Sequence, residues 1–405
     1  MNTRMYLLAA VFGALVLAAV ASGAGTATPG VSSSQVLIGG TTPLTGIASA
    51  YSAVARGADA YFKYANAHGG VNKRKIKYLI RDDGYDPSRT IDQTRELVQQ
   101  DKVFAIFNSL GTEQNQATRD YLNAVKVPQL FVASGATTWG RDYKRYPWTI
   151  GYQPNYIAEG TIYGRYVAKT IPKARIGVLY QNDDYGKDML NGLRRGLRSK
   201  ARQIVSRQSY DVTDPDVGSQ IARLKSARAN VLMLFATPAS TIRAYVHARK
   251  LGWRPKVFVN AVSSASNIMG LATAATSKRQ TEGSISIVFL KDPTDRRWAN
   301  DPGMRLYRSV MKRYDAKGTW KDVYNVYGMS VAHTFVQALK RAGKNPTRDG
   351  IMRAATHLNV RNDPFLLPGI TVRTSAGDHF PLDQAKLERY HNGHWVAFGG
   401  LFRVR

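Results

Sequence analysis

Two short stretches concentrate the groups that could hold a small anion. Gly111-Thr112 and Ser134-Gly135-Ala136-Thr137 each follow an apolar run. Small residues let backbone N–H groups approach a ligand, and hydroxyls add oriented donors, a combination that suits a carboxylate without a buried cation. Either stretch alone reads first as a strand-to-helix turn capped by Ser or Thr; the two at one sheet edge read equally as a ligand cradle. Tyr51 and Tyr185 are aromatics that could close over a ligand, with an ordinary core or surface tyrosine as the plain reading of Tyr51. The pairs Asp82-Asp83 and Asp183-Asp184 have the composition of an acid–base couple. The first leads into Gly84 and Asp86-Pro87-Ser88 and the second precedes Tyr185-Gly186, so turn and helix-cap roles are expected. His391 and His394 form an H-x-x-H in a turn-rich tail, expected to be a surface coincidence and not a metal site. No G-x-S-x-G, H-E-x-x-H, G-x-x-x-x-G-K-[ST] or G-x-G-x-x-G occurs. Catalytic residues, a metal and a cofactor are therefore not expected, although a triad is spatial and not sequential.

The elements that must position these loops follow a repeating order. Val36 to Ile38 reads as a buried strand, and Tyr51, Val54, Ala58, Tyr61, Phe62 and Ala65 recur at helical spacing up to Gly69-Gly70. Strands at 76–80, 103–107 and 130–133 alternate with helices at 90–100 and 114–125, which predicts a parallel sheet covered by helices. The pattern restarts with a helix over 154–170, strands at 176–180, 204–210, 231–235 and 257–259, and helices at 187–201, 217–227 and 240–251. A third section has a strand at 285–289 followed by long helices at 296–314 and 322–342, and a tail of short alternating runs after Pro364. Two α/β series joined near Pro147 to Pro154 imply two lobes with a cleft, and ligands of open α/β sheets sit at the carboxyl ends of the strands.

The chain has 405 residues, enough for two domains, with 44% hydrophobic and 21% charged residues, a globular and not a disordered composition. The absence of cysteine excludes disulfides, thiolate metal sites, Cys nucleophiles and a lipid-modified Cys. Arg4 followed by an apolar or small run from Leu7 to Val20, then small residues through Ala27, has the layout of a secretory signal peptide over residues 1–27. Ala19-Val20-Ala21 is one cleavage tripeptide, and a retained anchor is the alternative. An exported, soluble, extracytoplasmic protein is expected. The net charge of +29 is dispersed, with Lys73-Arg74-Lys75 and Lys77 its densest stretch. Export and dispersal argue against nucleic acid and for a solvated basic surface that favours anionic membranes or envelope polymers.

The order of motifs resembles the substrate-binding proteins of ABC importers, in particular the branched-chain amino acid (Leu/Ile/Val) binding class. The carriers are VLIGGTTPLTG (36–46), DDGYDP (82–87), NSLGTEQNQA (108–117), VPQLFVASGATTWG (127–140) and VLYQNDDYGKD (178–188), in the family's order. The resemblance implies a type I periplasmic binding protein fold: two Rossmann-like lobes with parallel sheets flanked by helices, joined by a three-strand hinge. Lobe one would take 34–152 and 283–362, and lobe two 153–282 and 363–405. It implies a monomer that traps a small ligand by hinge closure and delivers it to a membrane permease. Gly111, Thr112, Ser134, Gly135, Ala136 and Thr137 would hold a ligand carboxylate, so Thr137→Ala is expected to weaken binding. Tyr51 and Tyr185 would flank the side-chain pocket, and Thr237 and Ser263 would face it from lobe two.

One departure bears on the ligand. Amino-acid binders of this class place an acid after the strand corresponding to 257–259, where it pairs with the ligand ammonium. Here the stretch reads Asn260-Ala261-Val262-Ser263. A buried ammonium without an anionic partner costs several kcal/mol, on the order of a broken buried pair. Either Asp184 substitutes, or the ligand is an amine-free aromatic acid, hydroxy acid or amide. A ligand-sensing ectodomain of the same fold and an exported enzyme are the other readings.

Overall fold

The computed structural model describes residues 28–403; the expected signal peptide over 1–27 lies outside the described residues. Runs of consecutive apolar residues form the inner strands because both faces of a parallel sheet are covered by helices. The first sheet contains β1 (Gln35–Thr42), β2 (Lys75–Asp82), β3 (Ala105–Phe107), β4 (Gln129–Val132) and β5 (Thr149–Gly151), all parallel, in the order β2-β1-β3-β4-β5. The second contains β6 (Ile176–Gln181), β7 (Ile204–Tyr210), β8 (Val231–Phe235), β9 (Lys256–Val259) and β10 (Ile285–Val288). A short hairpin, β11 (Asn359–Val360) and β12 (Val372–Arg373), stands apart, and β13 (Gln384–His391) and β14 (His394–Arg403) extend the second sheet antiparallel. Its order is β14-β13-β10-β9-β8-β6-β7.

The strand at 285–288 was expected in lobe one, whose second segment would begin at 283. It instead pairs with β9 and β13 in the second sheet. The chain crosses after it, and the long helix Val323–Arg341 packs on the first-lobe helix Ser52–Ala67, with the Phe62 and Phe335 rings 5.7 Å apart. The β-rich apolar run at 285–288 says strand but not which sheet. Crossings therefore fall between β5 and the helix Tyr156–Thr170, after β10, and before β13. Segments 289–291 and 365–367 run antiparallel against each other, Lys291 N–H donating to Phe365 O and Leu367 N–H to Phe289 O, both at 2.9 Å. The residues from 363 to Thr374, expected in lobe two, stay with lobe one: β12 pairs with β11, and Thr374 Oγ1 donates to Ala355 O.

The entry to the second lobe is unusually close. Helix Tyr156–Thr170, capped by Asn155 on the Ala158 N–H at 2.8 Å, packs against helix Asp184–Leu197 through Gly160, Gly164, Gly192 and Gly196. A Cβ on Gly192 would stand 2.3 Å from Ile157 O, and one on Gly160 2.3 Å from Met189 O, so only glycine allows this approach. Among the described residues no helix is long and apolar enough to cross a membrane.

Candidate functional site

The carboxyl ends of both sheets face each other across the hinge, and the loops leaving β1, β2, β3, β6, β8 and β9 line one cavity of about 800 Å³, part of it open to solvent. Six tyrosines dominate its wall: Tyr51, Tyr85, Tyr324 and Tyr327 from lobe one, Tyr156 and Tyr185 from lobe two. Burial is the main force pushing all six phenol pKa values up, so they stay neutral. Tyr51 and Tyr324 meet edge to face at 5.3 Å, and Tyr156 and Tyr185 lie 4.7 Å apart. Such walls offer large apolar area with oriented hydroxyl groups.

Of the residues singled out in the sequence, Tyr51, Gly111, Thr112, Tyr185 and Thr237 line the cavity. Gly111 precedes helix Thr112–Ala124, whose first turn takes no side-chain cap, and its φ of +109° belongs to glycine. Uncapped first-turn N–H groups and the helix dipole suit an anion there. Thr112 Oγ1 shares a 2.7 Å hydrogen bond with Ser134 Oγ, which holds the Thr112 hydroxyl in place. Thr237 is tied down by Tyr210, whose hydroxyl accepts the Thr237 N–H at 2.9 Å.

Ser134, Gly135, Ala136, Thr137 and Ser263 are brought beside the cavity without lining it. Apart from the Thr137 hydroxyl, which is buried without a hydrogen-bond partner, their polar groups are engaged within the protein. Tyr156 N–H donates to Gly135 O at 2.7 Å, and Thr137 N–H donates to Asp188 Oδ2 at 2.7 Å, so this loop docks the second lobe. A Cβ on Gly135 would meet Pro154 O at 2.7 Å. Ser263 Oγ donates to Ala236 O at 2.6 Å. Asp184, weighed as a substitute ammonium partner, is exposed at the rim and accepts from Gln116 Nε2 at 2.7 Å.

The aspartate pairs are structural, as expected. Burial raises the Asp82 pKa, but bonds from the Thr45 hydroxyl and the Gly84, Thr45 and Leu44 N–H groups outweigh it and bring it to about 2. Asp183 caps helix Asp184–Leu197 through the Gly186 N–H at 3.1 Å. His391 and His394 sit opposite each other in the β13–β14 hairpin, with His391 Nδ1 2.6 Å from Glu282 Oε1. No cluster among the described residues could hold a metal.

Glu159 is a wall residue that sequence reading missed. It is 2% exposed and stands in the first turn of helix Tyr156–Thr170. Its Oε1 accepts from Tyr163 Oη and from the Ala261 N–H, both at 2.7 Å. Burial raises its pKa to about 7, against the lowering effect of those two bonds. Its signal was a lone carboxyl among apolar and small residues, Ile157-Ala158-Glu159-Gly160. Asn260, where an acid was expected, is buried. With its amide oriented to satisfy both ends, its oxygen accepts from Tyr185 Oη at 2.7 Å and its nitrogen donates to Leu234 O and Ala236 O.

Known proteins share this plan. The chain is 24% identical over 358 residues to Leu/Ile/Val-binding protein homolog 1 of Brucella suis biovar 1 (strain 1330), covering 84% of this chain and 85% of that one. A branched-chain amino acid ABC transporter protein of Thermus thermophilus with bound valine superposes with a TM-score of 0.80 at 18% identity, over 91% of this chain and 97% of that one. A solute-binding protein of an ABC transporter from R. palustris in complex with benzoate gives 0.75 at 15% identity, over 90% and 96%. At these identities the solved structures establish the fold, a type I two-lobe α/β binding protein. The periplasmic binding protein family model matches residues 35–390, nearly the whole of both lobes and the hinge; the chain belongs to the periplasmic binding protein family, whose members bind ligands and are not enzymes.

Proposed function

We propose that this protein is the extracytoplasmic solute-capturing component of an ABC importer. It takes a small carboxylate with an aliphatic or aromatic body into the interlobe cavity and presents it to a membrane permease. The observation that carries this reading is a cavity walled from both lobes by six tyrosines, with the uncapped first turn at Gly111-Thr112 on one side. A ligand touching both lobes favours the closed arrangement by the contacts it makes only there. The relatives named for Leu/Ile/Val binding and for bound valine or benzoate support small carboxylates of this kind.

An amine-free acid is the second reading, favoured by the neutral Asn260 at the position where amino-acid binders carry an acid. A thermal-shift panel tests the proposal, with L-leucine, L-valine, L-phenylalanine, benzoate, hydroxycinnamates and short amides. A ligand at about 100 times its Kd adds about 2.7 kcal/mol, enough to move Tm by a few degrees. A shift with any small acid supports solute capture; a flat response across the panel contradicts it.

A further inference from the structure

Among the described residues the wall of the interlobe cavity contains no lysine, arginine or histidine, and Glu159 is the one ionisable group in it apart from the tyrosines. In a chain of net charge +29, a binding cavity without a single cation is a selective feature. Both hydrogen bonds to Glu159 fall on Oε1, leaving Oε2 without a hydrogen-bond partner among the described residues. A carboxylate buried in this way is costly unless a cation or donor meets it.

The frame around Glu159 is rigid. The glycine-mediated contact with helix Asp184–Leu197 fixes its helix, and the Ala261 N–H fixes the carboxylate. The one hydroxyl proton of Tyr163 is shared between Glu159 Oε1 and Val259 O at 2.7 and 2.9 Å. The first-turn position adds the favourable end of the helix dipole, which supports a negative charge. The groups facing it are Tyr156 and Tyr163 on its own helix, Tyr185 from helix Asp184–Leu197 and the Ala261 N–H from the turn after β9, while Tyr51 and Tyr324 of lobe one line the same cavity. An adjoining small cavity, sharing Ala261 and Ile287 with the first, adds Asp292 and Glu388, again acids and no base.

We infer that Glu159 is the ammonium-binding residue of this cavity, so that the solute carries an amine as well as a carboxylate although no acid follows β9. This rests on the solute-capture reading and selects the amine-bearing class within it. The carboxylate would lie at the lobe-one loop Gly111-Thr112 and the amine against lobe two, so an amino acid bridges the cleft with opposite charges at its two faces. A one-ended acid would leave Glu159 unpaired.

Calorimetric titration of the whole mature protein with L-leucine and L-phenylalanine, and with 4-methyl-2-oxopentanoate and phenylpyruvate, tests this. The expected result is that the amine-free analogues bind about 10- to 100-fold more weakly, the range of a charge-assisted bond. Glu159→Gln should lose amino-acid affinity by the same factor and bind the analogues as well as or better than wild type, since they no longer leave a buried carboxylate unpaired. Should that variant fail to fold, the wild-type pH profile decides: amino-acid affinity rises from about pH 6 to about pH 8 as Glu159 loses its proton. Equal affinity for amines and analogues, or affinity that falls over that range, overturns the inference and leaves solute capture standing. No binding of any of the four overturns the inference, and solute capture falls with it only if the wider panel is also flat.

Discussion

Across the cleft, the Thr137 N–H of lobe one donates to Asp188 Oδ2 of lobe two at 2.7 Å. The loop expected to cradle a carboxylate thus already binds one, supplied by the protein. Gln116 Nε2 on Asp184 Oδ2 at 2.7 Å and Tyr324 Oη on Val262 O at 2.7 Å act in the same sense. They hold the lobes together from the rim while Gly111-Thr112 remains at the cavity.

Removing that latch should weaken binding through closure and not through contact. Asp188→Ala loses a charge-assisted bond worth roughly 1.5–3 kcal/mol in the closed arrangement, and ligand affinity should fall about 10- to 100-fold. Thr137→Ala keeps the backbone donor, so its effect should stay within about threefold, less than the sequence alone suggested. Titration of both variants with the best panel ligand checks this; a larger loss in Thr137→Ala than in Asp188→Ala would place the threonine hydroxyl on the ligand.

Glu159 should also leave a mark on the ligand-free protein. Its folded pKa of about 7 lies above its ordinary value of 4.5, so between those values the folded state holds more protons than the unfolded one. Stability from this group is fully present below the unfolded value and is lost as pH rises through about 7. Glu159→Gln removes the titration. The Tm of wild type minus that of the variant should therefore fall from about pH 5 to about pH 8. A difference that is flat across that range would mean the carboxyl is not desolvated.

The glycine contact that aims Tyr156 and Glu159 should tolerate little. Gly192→Ala places a Cβ 2.3 Å from Ile157 O, a backbone atom that cannot swing away. Overpacking of this kind costs about 1–3 kcal/mol, so the variant should melt lower and bind more weakly. Wild-type melting and affinity in Gly192→Ala would show that the two helices can part without disturbing the site.

Parallel strands and their carboxyl-end loops were legible because apolar runs of five or six residues bounded by Gly, Ser and Thr have few other uses. Tyr51, Gly111, Thr112, Tyr185 and Thr237, which line the cavity, lie in loops or helix starts that follow such runs. Ser134 to Thr137 has the same composition as Gly111-Thr112, and nothing local distinguishes a loop facing ligand from one facing Tyr156 and Asp188. Tyr324 and Tyr327 come from a helix more than 200 residues beyond the first-lobe loops they join. Their place is set by the second crossover. The membership of β10 was hidden likewise, since its apolar pattern fits either sheet. Glu159 was missed although it is a lone charge in an apolar stretch, because the glycine contact of Gly160 and Gly164 with Gly192 and Gly196 that aims its helix is made only in the fold.

The proposed solute would sit in the cavity beside Gly111. Gly111→Ala tests this placement most directly, because φ is +109° there and a Cβ would stand 2.1 Å from Gln114 Oε1 and 3.0 Å from Tyr85 Cε2. Calorimetric titration of wild type and this variant with the strongest panel ligand should give one-to-one binding in wild type and a loss of at least about tenfold in a variant that still unfolds cooperatively. Equal affinity in the two proteins would put the ligand somewhere other than the cavity beside Gly111.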